Sequence, residues 1–154
     1  MARNNWALIT PSAVALVAGT PKTVLQFVSP AATSLQVIQE ILVSFDGTSN
    51  TAVTVIVSVL RKTGNATVTA QTRSKTKDTS TALITDSANT GVNASAEGTD
   101  GAVLTIFHCH PQAGVIYPVP LPDGELELSG SGIIAVKINA PANVNCLCTL
   151  HGEE

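Results

Sequence analysis

The sequence predicts an all-β protein, an antiparallel β-sandwich of jelly-roll type. Three observations predict it. Runs rich in Val, Ile and Thr alternate with period two. Gly, Pro and Asp-Gly punctuation recurs roughly every 8–12 residues outside one long polar stretch. No segment carries a 3.6-residue apolar period with helix caps.

The elements follow in chain order. Residues 1–20 read as an extended N-terminal arm ending at Gly19-Thr20-Pro21, and residues 21–154 as one sandwich domain. Residues 6–18 follow Arg3 and end in small residues, as a signal peptide would, but Pro11 breaks the apolar run, so an unprocessed arm is expected. Residues 22–29 form a first strand, and Pro30-Ala31-Ala32 breaks it. Residues 35–61 are two long β-branched runs about a turn with Asp46-Gly47, which predicts a hairpin. In its first strand Leu35, Val37, Gln39, Ile41, Val43 and Phe45 share one face. In the second, Val53, Val55, Val57 and Val59 do.

Residues 63–101 change character, with ten threonines and four serines, and read as a long excursion with short strands at 67–69 and 82–84. A long loop in a compact domain is functional or disordered, and a contact loop is the preferred reading. Strands return at 102–110, at 114–120 (confined to an edge by Pro118 and Pro120), at 125–129, at 133–139 and at 143–151. Asp123-Gly124, Gly130-Ser131-Gly132 and Ala140-Pro141-Ala142 supply the turns.

At 154 residues the chain is one domain with a sizeable aliphatic core, since a chain of ~150 residues hides about 70% of its unfolded surface. Only 12% of residues are charged, about half the usual quarter, which favours a surface covered by partners. The charge is uneven: residues 1–77 carry +5 and residues 78–154 carry −8. Solvated faces account for this, or complementarity between copies or with a partner. Five basic residues lie within 61–77, without interleaved aromatics, so nucleic-acid stacking is not expected. No stretch approaches the ~20 apolar residues of a membrane-spanning helix. Three cysteines in no framework pattern fit a reducing compartment.

Catalytic signatures are missing. There is no nucleophile elbow, no HExxH and no phosphate-cradling glycine loop, so no enzyme and no cofactor are expected. The one constellation to weigh is His108 and His110 with Cys146 and Cys148. Each pair shares a strand face, and a suitable register would offer two imidazoles and two thiolates to zinc. Buried structural cysteines with surface histidines are the plainer reading, and no metal is expected. Glu125 and Glu127 read as a charge-protected strand face, and Asp46, Asp78, Asp86 and Asp100 lack calcium-loop spacing.

Three segments together carry a resemblance: SFDGTSNTAVTVIVSVLR, HPQAGVIYPVPLPDGELELSGSG and IIAVKINAPANVNCLCTLHGEE. In this order they resemble small β-proteins encoded among the head genes of tailed bacteriophages, the capsid decoration or cement proteins. The likeness covers residues 35–61 and 102–154; the ending departs from the group's pattern in placing His151-Gly152 before Glu153-Glu154, and residues 63–101 match nothing in it. The resemblance implies a jelly-roll module, made in the host bacterial cytoplasm and bound to the outer surface of the virion. Its partners would be the major capsid protein and two further copies in a trimer. A tail or neck component is the alternative within that class. A carbohydrate-binding sandwich is the alternative outside it, with Trp6 and Tyr117 as its only candidate exposed rings.

Two contact sets follow. Apolar residues in an arm need a partner surface, so Trp6, Leu8, Ile9, Val14 and Leu16 are expected to reach a neighbour, with Trp6 as anchor. Arg73, Lys75 and Lys77 are expected to meet an acidic patch.

Overall fold

The structure is a computed structural model that describes residues 4–30, 35–47, 53–77, 82–119 and 126–154. Among these residues there is no helix, and the strands form two antiparallel sheets, the two layers of a sandwich. The seven-stranded sheet holds β1 (Asn5–Ile9), β2 (Val14–Leu16), β4 (Gln36–Phe45), β7 (Ser74–Lys75), β10 (Gly114–Pro118), β11 (Leu126–Leu128) and β13 (Val144–Glu153). Its order is β10-β4-β13-β1-β7, with β11 beside β4 and β2 beside β13. The six-stranded sheet runs β6 (Thr67–Ala70), β8 (Gly91–Ala96), β3 (Lys22–Val28), β12 (Ile133–Asn139), β5 (Val55–Lys62) and β9 (Asp100–Cys109).

The long hairpin does not form. Both runs are strands, but β4 lies between β13 and β10 in one sheet, and β5 lies between β12 and β9 in the other. Each is an interior strand with both edges taken, and Val55, Val57 and Val59 are fully buried. The Asp46-Gly47 pair instead fastens an arch between the sheets. Asp46 accepts hydrogen bonds from the Asn145 backbone (2.9 Å) and side chain (2.8 Å). The Gly47 N–H donates to the Pro111 carbonyl (2.9 Å), against which a Cβ would collide. Among the described residues no two strands consecutive in sequence are hydrogen-bonded to each other.

The N-terminal arm is likewise corrected. β1 pairs with β13 from Asn5↔Glu153 to Ile9↔Thr149, and β2 pairs with β13 through Val14↔Cys146. Period two puts Trp6 and Leu8 into the core, while Ile9 faces out. A segment with its own apolar alternation is stabilised by the nearest open sheet edge, here its own chain's. The excursion is also strand rather than loop: β6 and β8 extend the six-stranded sheet, and β7 pairs with β1. Residues 82–84, expected as a strand, are irregular.

Alternation along β4 resets at a bulge. His151 faces Glu40 but Gly152 faces Ile38, so Gln39 is the extra residue and its carbonyl accepts from the Val119 N–H (2.9 Å). Ile38 therefore joins Ile41 and Val43 in the core, and Gln39 is only half-buried. The edge placement of the strand ending at Pro118 holds, as do the strands at 133–139 and 143–151. The turns expected at residues 48–50 and 123–124, Ala31-Ala32, Asp78, Pro120 and Glu125 lie outside the described residues.

Candidate functional site

An aromatic pair bridges the two sheets at each flank. On one flank Trp6 of β1 and Phe27 of β3 have ring centroids 4.7 Å apart, tilted by 36°. The chain crosses here from β6 to β7, and the crossing carries Arg73. Its guanidinium lies 4.9 Å from the Trp6 ring and 5.2 Å from the Phe27 ring. The Arg73 side chain is fully buried. Nε donates to Asp86, Nη1 to Gln36 (2.8 Å) and Glu154 (3.1 Å), and Nη2 to the Ile84 carbonyl (2.9 Å). Glu154 in turn accepts from the Ile84 N–H (2.9 Å) and Gln36 (3.3 Å). Arginine's planar fork suits this many fixed acceptors, which a lysine could not match.

A second ionic cluster sits on the six-stranded sheet. Lys62, fully buried at its side chain, reaches Asp100 (2.8 Å) and Glu97 (3.4 Å). Lys137 reaches Asp100 at 2.6 Å, and Glu97 accepts from the Thr23 N–H and hydroxyl, both at 2.6 Å. Burial opposes ionisation of Glu97, but the Thr23 hydrogen bonds and the two lysines outweigh it and hold its carboxyl below its usual range. Asp100 is lowered too: burial works against it, and Lys137 and Lys62 overcome that.

These clusters take Lys62 and Arg73 of the basic stretch into the molecule's own ion pairs. Lys62 and Arg73 pair with Glu97, Asp100, Asp86 and Glu154, so part of the positive charge of one half of the sequence meets negative charge of the other within one molecule. Of the expected basic contacts Arg73 is buried, Lys75 is half-buried on β7 and Lys77 is exposed. Of the expected apolar contacts Trp6, Leu8, Val14 and Leu16 are core, and Ile9 alone is exposed, at 41%. Trp6 is thereby lost to a sugar platform.

The histidine and cysteine candidates are not brought together. Cys146 and Cys148 point from β13 into the core, and burial pushes the Cys146 thiol up to about 12 and the Cys148 thiol higher. His108 is exposed on β9 in the other sheet, its Nδ1 2.8 Å from the Thr54 hydroxyl. His110 accepts from the Gln112 N–H (3.2 Å). Among the described residues no group of three or more His, Cys, Asp or Glu side chains could hold a metal ion.

The other flank went unnoticed in the sequence. There β9 and β10 are the outer strands of their sheets, bridged by Phe107 and Tyr117, stacked at 5.5 Å and 17°. Register also lines up a largely apolar row across the outside of the seven-stranded sheet: Ile116↔Leu42, Leu42↔Thr149 and Thr149↔Ile9, with Leu42 and Thr149 half-buried. Ile116 is 61% exposed, and Leu147, two residues along from Thr149, is 46% exposed. The signal that could have revealed the row is pairing register, which periodicity alone does not give. Compared with known protein families, curated proteins and solved structures, the chain matches none.

Proposed function

We propose that this chain is a non-enzymatic virion structural protein, a capsid decoration protein that binds the outside of an assembled bacteriophage head and stabilises it. The resemblance of residues 35–61 and 102–154 supplies the class. The observation that carries the reading is the outward-facing row of Ile116, half-buried Leu42, Thr149 and Ile9, in which Ile116 and Ile9 are exposed, with exposed Leu147 beside it. A largely apolar outward face on a charge-poor protein suits a contact site. The partner it fits is the major capsid protein. Weak contacts repeated over a shell act multivalently, so each copy need contribute little. Ligands that bind only the assembled state stabilise that state by mass action.

The test is co-sedimentation with assembled heads against unassembled capsid subunits. Saturable binding to heads alone is expected, and Ile116→Asp with Leu147→Asp should lower occupancy about tenfold at fixed concentration. Equal binding by the double variant would remove the row from the contact. No binding to heads or subunits would move the reading to a tail or neck component.

A further inference from the structure

The β9–β10 flank is drawn from the longest stretch of the sequence without a charged residue. Residues 101–122 contain no Asp, Glu, Lys or Arg, in a protein of net charge −3. Both outer strands come from this stretch apart from Asp100, and the Phe107–Tyr117 stack places them on one flank. The Asp100 carboxylate is already engaged by Lys62 and Lys137. Among the described residues no strand pairs with the outer side of β9. Val103 and Ile106, which pair with Leu60 and Ser58 of β5, are 53% and 56% exposed. A long outer strand with exposed apolar residues and no free charge lacks the usual protection against edge-to-edge pairing.

The two halves of β9 are not equivalent. Towards Asp100 the pairing with β5 shifts register twice, and such bulges bend a strand out of ladder geometry. From Thr105 to Cys109 the pairing with Val55 to Val59 is regular. Within this half Ile106 and His108 face outwards, while Thr105, Phe107 and Cys109 face the core side.

We propose that this flank is where two copies of the chain meet. The regular halves of β9 pair antiparallel about a twofold axis at Phe107, so that the six-stranded sheets join into one. That axis sets Phe107 opposite its own copy and Ile106 opposite His108, and it keeps core-side residues on the core side in both copies. Each flank brings a Phe107–Tyr117 stack to the axis, where cross-strand aromatic pairs are favourable. Charge selects a second copy as the occupant. Two net-negative molecules repel, and residues 101–122 bring no carboxylate of their own to face the other copy's. A foreign partner recognised by charge would find nothing here to pair with. A twofold contact uses the same patch on both copies, which a single uncharged flank supplies. It gives a dimer, unlike the trimer that the resemblance implies. The inference stands apart from the decoration reading.

The test is sedimentation equilibrium of the full chain, with a register-specific cross-link. The wild type should be a dimer at micromolar concentration. Ile106→Lys should weaken it by about tenfold or more, with far-UV circular dichroism unchanged. Val17→Lys, at a 59% exposed site on another surface, should leave the dimer intact. Because a lysine could act by solubility alone, Ile106→Cys with His108→Cys provides the second measurement. The pair should form disulfides between copies on mild oxidation, through the 106-to-108 oppositions. A monomer at all concentrations, or a dimer unmoved by Ile106→Lys and not cross-linked by the cysteine pair, overturns the proposal. A monomer that still sediments with heads would overturn it while leaving the decoration reading in place.

Discussion

Trp6 with Phe27 and Phe107 with Tyr117 do the same job at opposite flanks, joining one sheet to the other, yet their surroundings differ. The first pair is fully buried, roofed by a guanidinium that binds two carboxylates, an amide and a carbonyl. The second pair is half-buried, and no charged side chain comes from its own stretch of sequence. The comparison teaches where a charge-poor chain places its few ions. The Arg73 cluster closes one flank and locks the crossing between β6 and β7, and the Lys62–Asp100 cluster holds the start of β9. Beyond Asp100 the opposite flank is left with rings and backbone, a surface suited to contact.

Breaking the closed flank should have the largest effect. Arg73→Met leaves Asp86 and Glu154 without their cation in a buried site, and should cost about 3–5 kcal/mol of stability by urea unfolding. Trp6, the single tryptophan, should report the loosening as a red shift in fluorescence. A loss below about 1 kcal/mol would mean that the cluster is solvated in solution. The rings give a direct contrast. Phe27→Ala, at a fully buried position, should cost about 3–5 kcal/mol, whereas Phe107→Ala should cost about half as much because its ring is already partly in water. Equal costs in an isolated monomer would erase the distinction between the flanks.

The smallest expected effect is on the Glu97–Asp100 cluster. Both carboxyls are lowered in the folded state, so their contribution is present above their ordinary values of 4.5 and 3.8 and is lost as pH falls through the lowered values. Lys137 is shifted up: burial opposes this, and Asp100 and Glu97 overcome it. Its contribution is present below 10.5 and lost as pH rises through the raised value. The urea midpoint should therefore fall below about pH 4; on the alkaline side the raised Cys146 and Cys148 thiols already cost stability above 9.0, so Lys137→Met should shrink the alkaline limb without removing it.

The strands themselves were legible in the sequence. Alternation found β3, β4, β5, β9, β12 and β13, and Pro118 marked β10 as an outer strand, because period and proline geometry are local properties. Pairing is not local. Asp46-Gly47 is the strongest local sign of a hairpin, yet Asn145 and Pro111, both distant in sequence, hold it in an arch. The arm failed for a related reason: Trp6 and Leu8 alternate like any strand, and only the open side of β13 determines where they go. The leading member of each contact set is internal for one reason, since Arg73 and Trp6 are each other's neighbours, while Ile9 and Lys77 stay exposed. An excess of basic residues in one half and acidic residues in the other could not show by itself whether it was answered inside the molecule or outside.

The topology also governs how the chain is made. β13 is the strand that β1, β2 and β4 all pair with, and it is synthesised after all of them. The closest paired residues in sequence are Ala70 and Gly91 of β6 and β8. The earliest strands therefore leave the ribosome with exposed edges and wait for nearly the whole chain. Closing such distant pairs makes folding slow. Until β13 arrives, β1, β2 and β4 carry unpaired edges that other chains can meet.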